Sequence, residues 1–139
     1  MTGCRAYVES RVRQSGVSVP RNSREAVIFD YYSALKEERY VDAYALLFWD
    51  NASSSIPSEQ ELKAFIELHR NDGHPLPTEI SIGEETQAKK HRGEPCHYSY
   101  VVYAAYPDSL VLRSGQVYLI PSPSDPESCI IAYNSAFGF

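Results

Sequence analysis

Residues 22–47 read NSREAVIFDYYSALKEERYVDAYALL. Asn22 followed three residues later by Glu25 is an N-terminal capping pattern, in which each side chain bonds the other's otherwise unpaired backbone amide. A helix therefore starts at residue 22. Ile28, Tyr31, Tyr32 and Leu35 recur at spacings of three and four, which gives one buried stripe on a helix running to about residue 37. The charged run Lys36-Glu37-Glu38-Arg39 closes it. A second, short and very apolar helix follows from Tyr40 to about Phe48, with Val41, Tyr44, Ala45, Leu47 and Phe48 on one broad face.

Outward from this pair, Asp50, Asn51, the serines 53–55 and Pro57 form a loop. Ser58 and Glu61 then repeat the capping pattern and open a third helix lined by Leu62, Phe65, Ile66 and His69, which Gly73, Pro75 and Pro77 end. From Thr78 the apolar period changes from helical to two. Ile80 and Ile82 alternate with polar neighbours, and a long strand over residues 95–106 is joined by the turn Tyr106-Pro107-Asp108-Ser109 to another over 110–120, which makes an antiparallel hairpin. The proline- and serine-rich segment Pro121 to Glu127 leads to a last strand from Cys129 to Phe137. Three helices followed by four strands predict an α+β domain over residues 22–139, with the helices packed on one face of a mainly antiparallel sheet. Residues 1–21 lack sustained periodicity and read as a flexible basic leader.

Size agrees with a single core, since 139 residues suit one domain of ordinary length. The longest apolar runs, 43–49 and 100–106, fall far short of the roughly 20 residues that cross a bilayer. The net charge of −5 is uneven: residues 1–24 hold five arginines against Glu9, which leaves the remainder nine charges negative. A body of that sign repels phosphate backbones, so no nucleic-acid partner is expected. No glycine-rich phosphate loop and no GxSxG elbow occur.

Cys4, Cys96 and Cys129 are widely spaced and form no CxxC. Zinc sites usually show ligands in close pairs, and Cys96-His97 is a single adjacent pair with His69, His74 and His91 scattered around it, so neither a metal nor another cofactor is expected. With one strand between those that begin near Cys96 and Cys129, the two cysteines stand roughly 9–10 Å apart, and free thiols are expected. Thr2-Gly3-Cys4 matches the end of a bacterial lipobox but only three residues precede the cysteine. The chain as it stands reads as cytoplasmic, and as an envelope lipoprotein if a signal peptide precedes Cys4.

The phrases Val27-Ile28-Phe29-Asp30-Tyr31-Tyr32-Ser33-Ala34-Leu35 and Glu38-Arg39-Tyr40-Val41-Asp42-Ala43-Tyr44-Ala45-Leu46-Leu47 resemble the opening helices of the NTF2-like superfamily, the SnoaL-like and ketosteroid-isomerase-like group. The resemblance covers residues 22–139 in element order and residues 27–47 in wording. It implies a cone in which a curved four-stranded sheet wraps three helices around an apolar hollow. In the ketosteroid isomerase branch a tyrosine on the first helix donates to an oxyanion, and a carboxylate before a proline after the second helix removes a proton. Tyr32 matches the tyrosine, but Ile56 stands before Pro57, so the base is missing.

With that base missing, the chain reads as a non-catalytic small-ligand-binding or protein-interaction domain of this type. Tyr32, Trp49, His97, Tyr100, Gln116 and Tyr133 are the candidate lining of the hollow, for a small hydrophobic or aromatic ligand. The alternative is a cofactor-free isomerase, dehydratase or hydrolase that uses Asp30 or Asp50 as acid or base with Tyr32 and His97. A third role for the tyrosines is a homodimer interface on one sheet face, where aromatics are enriched.

Overall fold

A computed structural model describes residues 11–47, 60, 63–64, 67, 76–107 and 110–134, apart from the side chains of Tyr44, Tyr133 and Asn134. Helix α1 spans Ser23–Lys36. Asn22, in extended backbone, accepts from the Glu25 N–H at 3.0 Å, as the capping pattern requires. The reciprocal bond lands one residue early: the Glu25 carboxylate accepts from the Arg21 N–H at 3.0 Å and from the Arg21 guanidinium. At the other end Glu38 takes a left-handed φ of 58°. This lets the Arg39 N–H reach the Ala34 carbonyl at 2.8 Å and the Glu38 N–H reach that of Leu35 at 3.3 Å, a Schellman closure.

Helix α2 is Tyr40–Ala45, three residues shorter than its apolar face predicts. The chain leaves the helix because Leu46 and Leu47 join the sheet: the Leu46 carbonyl accepts from the Ile131 N–H at 2.7 Å, and Leu47 bridges Ile131 in parallel. Trp49, Asp50 and most of the third helix lie outside the described residues; Gln60, Lys63, Ala64 and Glu67, which belong to that span, are helical.

Four antiparallel strands follow in the order β1-β2-β3-β4: β1 Glu79–Gln87, β2 Tyr98–Ala105, β3 Arg113–Pro121 and β4 Cys129–Asn134. The α+β class and the strand meander agree with the period change at Thr78. Ile80, Ile82, Tyr100, Val102, Ala104, Val117, Leu119 and Ile131 form one core with Ile28, Tyr31, Tyr32, Ala34, Leu35 and Tyr40 of the helices. Each of the valine, leucine and isoleucine side chains among them contributes about 1.5–3 kcal/mol when fully removed from water. No helix among the described residues is long and apolar enough to cross a membrane.

Two expectations are corrected. The leader is not free over residues 11–21. Residues 11–15 are helical, Val12 is fully buried against Ala105 and Leu112, and Val17 exchanges two 2.9 Å backbone hydrogen bonds with Ile82 on the outer edge of β1. An open strand edge offers unpaired backbone groups, and this strap occupies part of it. Ser81, buried on the same sheet face as Tyr103, donates to the Val12 carbonyl at 2.5 Å.

The cysteines are also closer than expected. Cys96 and Cys129 form a disulfide across a Cα separation of 5.7 Å. The larger figure assumed that Cys96 lies within the ladder, whereas β2 begins only at Tyr98. His97 adopts a left-handed φ of 68° while its N–H bonds the Leu119 carbonyl at 3.0 Å. The chain turns there, and Cys96 swings across to Cys129, which is paired with Pro121 at the start of β4.

Candidate functional site

Strand parity separates the six residues expected to line a hollow. Tyr100 pairs with Val117 and Val101 with Gln116. Tyr100 and Val117 are fully buried on the helix side, while Gln116 is exposed on the opposite face. Tyr32 is also in the core, where its hydroxyl donates to the Pro77 carbonyl at 2.5 Å. His97 lies with Tyr118 on the outer face: its Nδ1 is 3.2 Å from the Tyr118 hydroxyl. Tyr133 is the register partner of Tyr118. Asp30 is exposed on α1. The side chains of Tyr32 and Tyr100 thus do not meet those of His97 and Gln116.

Two polar clusters take their place. The first joins the start of α1 to the sheet. A register shift between Ile82 and Glu85 in β1 sets Glu85 opposite Tyr100, so an extra residue turns an acidic side chain to the helix-facing side where simple alternation would keep it away. The Tyr100 hydroxyl donates to Glu85 Oε2 at 2.6 Å. Arg24 donates to the same hydroxyl at 3.2 Å and to Glu85 at 3.3 Å, and its guanidinium sits 4.0 Å from the centre of the Tyr98 ring. Burial and the Glu85 carboxylate push the Tyr100 phenol well above the ordinary tyrosine range, against the opposing effect of Arg24. The hydroxyl therefore stays protonated and serves as a donor.

The second cluster lies beside the disulfide. His91-Arg92-Gly93-Glu94 is a type II β-turn: Arg92 has φ −56° and ψ 129°, Gly93 has φ 88°, and the Glu94 N–H bonds the His91 carbonyl at 3.0 Å. Glycine at the third position supplies the positive φ that this turn demands. The turn brings the first and fourth side chains together, with His91 Nδ1 3.0 Å from Glu94 Oε2. His97 Nε2 approaches the same oxygen at 3.7 Å, and the two imidazoles stack with centroids 3.8 Å apart and planes within 5°. Gln87 holds the loop, donating to the carbonyls of Glu94 and Cys96 at 3.1 Å each.

Neither cluster emerges from a search for paired cysteines or for carboxylates beside proline. The first depends on a bulge and on residues 61 positions apart. The second does carry a local signal in the sequence, His-x-x-Glu-x-x-His around a glycine turn, with Cys96-His97 only its last two residues. Comparison with protein-family models, with characterised proteins and with solved structures finds no match for this chain.

Proposed function

We propose that this chain is a non-catalytic interaction domain of NTF2-like type that works in an oxidising compartment and self-associates through its outer sheet face. The observation that carries the reading is the engagement of Tyr32. The hydroxyl that the resemblance would aim at a substrate donates to the Pro77 carbonyl inside the core, and a donor so placed is structural. The inner hydroxyl of Tyr100 is likewise bonded to Glu85, which supports surface recognition over an enclosed small ligand. The enzyme alternative loses support because Asp30 is exposed on α1 and His97 faces Glu94 and Tyr118 on the other side of the sheet.

The disulfide supports an oxidising compartment, because such bonds persist outside the reducing cytosol. On the outer face Ser99, Val101, Tyr103 and Tyr118 are half-buried, and aromatic and aliphatic side chains of this kind are what a second copy would cover. Light scattering on the purified chain is expected to give twice the chain mass, and Val101→Glu is expected to give the monomer with an unchanged circular dichroism spectrum. A wild-type protein that stays monomeric at every concentration would sink the self-association. Turnover of a compound that Asp30→Asn abolishes would sink the non-catalytic reading.

A further inference from the structure

We propose that His91, Glu94 and His97 form a binding site for a divalent transition-metal ion of the zinc class, and that the ion clamps the loop between β1 and β2 onto the disulfide-bonded corner of the sheet. Each residue offers one ligand atom, and the three atoms lie within 4.8 Å of one another. A tetrahedral zinc ion with bonds of about 2.0–2.2 Å holds its ligand atoms about 3.3–3.6 Å apart. The Glu94 oxygen is already 3.0 Å from His91 Nδ1 and 3.7 Å from His97 Nε2, which brackets that spacing. Two imidazoles and one carboxylate are the donor set that such ions favour, and three protein ligands leave a fourth position for water or a partner's side chain.

The surroundings support ligation independently. A metal-bound histidine characteristically engages its other ring nitrogen with a hydrogen-bond partner, which fixes the tautomer and aims the lone pair. His97 has this arrangement, with Nδ1 on the Tyr118 hydroxyl at 3.2 Å and Nε2 turned to Glu94. The backbone beneath is held by the type II turn, by Gln87 and by the disulfide at the neighbouring residue, so little ordering remains to be done when the ion arrives. Two parallel rings cannot both direct a lone pair at one ion. Binding therefore turns the His91 ring about its Cβ–Cγ bond, a soft torsion, and replaces its contact with Glu94 by a shared ion.

Titration calorimetry with zinc chloride on the oxidised full chain tests the site. One saturable site per chain is expected, weakened about tenfold or more by His91→Ala and by His97→Ala and to a smaller extent by Glu94→Gln. Circular dichroism checks that each variant is folded. On the wild-type chain itself, the imidazole resonances of His91 and His97 are expected to move together up to one equivalent while those of His69 and His74 stay in place, a readout that needs no variant. The proposal is overturned if the wild type takes up no zinc, if the variant lacking both His91 and His97 binds as tightly as wild type, or if the resonances that move are those of His69 and His74.

Discussion

Glu25 shows how one side chain can tie an element to its neighbours. It has no exposed surface, and burial alone would push its carboxyl up. The hydrogen bonds from the Arg21 side chain and backbone outweigh that effect and hold it below the ordinary carboxylate range. A group with a depressed native-state pKa stabilises the fold above its unfolded-state value and loses that contribution as pH falls through the native one. Glu25→Gln is therefore expected to cost about 1–2 kcal/mol at neutral pH, and the deficit should shrink as acid protonates the wild-type carboxyl. Urea denaturation of both proteins at neutral and acidic pH measures this, and parallel stability curves would contradict it. His97 marks a different dependence on single residues. One left-handed backbone angle separates a cysteine in the β-ladder from a cysteine within reach of its partner.

Among the elements, α1 shows close agreement between sequence and structure. Its start at Asn22, its stripe of Ile28, Tyr31, Tyr32 and Leu35, and its end in the charged run are all observed. These features are local, and local hydrogen bonding and periodicity suffice to read them. The strap over residues 11–21 is the opposite case, because its order comes from β1 and not from its own composition. Gly16 is the critical position: a Cβ there would stand 2.2 Å from the Ile82 carbonyl oxygen, and that oxygen belongs to backbone already bonded to Val17. Gly16→Ala is expected to break the Val17–Ile82 pairing and cost about 1–3 kcal/mol. Hydrogen exchange should show the Val17 and Ile82 amides losing protection while β3 keeps its own, and unchanged protection at Val17 would refute the strap.

At the scale of the whole molecule the disulfide closes the sheet. It links residues 33 apart in sequence and ties the entry of β2 to the start of β4 across β3. A cross-link over a loop of that length restricts the unfolded chain by about 3–4 kcal/mol in the chain-entropy treatment. The double variant Cys96→Ser/Cys129→Ser is expected to unfold at correspondingly lower denaturant concentration, and reduction of the wild type should match it. If reduced and oxidised chains share one midpoint, the bridge contributes nothing to stability. The same corner carries His97 and, through Gln87, the backbone of Glu94, so the covalent link and the candidate ion site reinforce one part of the fold.

The amino-acid sequence alone determined the helix pair at residues 22–45, the change of period at Thr78, the four-strand meander and the absence of long apolar helical runs. Each follows from spacing along the chain or from bonds between near neighbours. Tertiary structure decided which sheet face is inside, because parity sorts Tyr100 from Gln116 without saying which of them meets the helices. It also decided the Cys96–Cys129 bond, the docking of the strap and the meeting of Arg24 with Glu85. In each of these a bulge, one left-handed residue or a distant edge sets the partner, and such displacements of a single residue leave the hydrophobic pattern of the sequence almost unchanged.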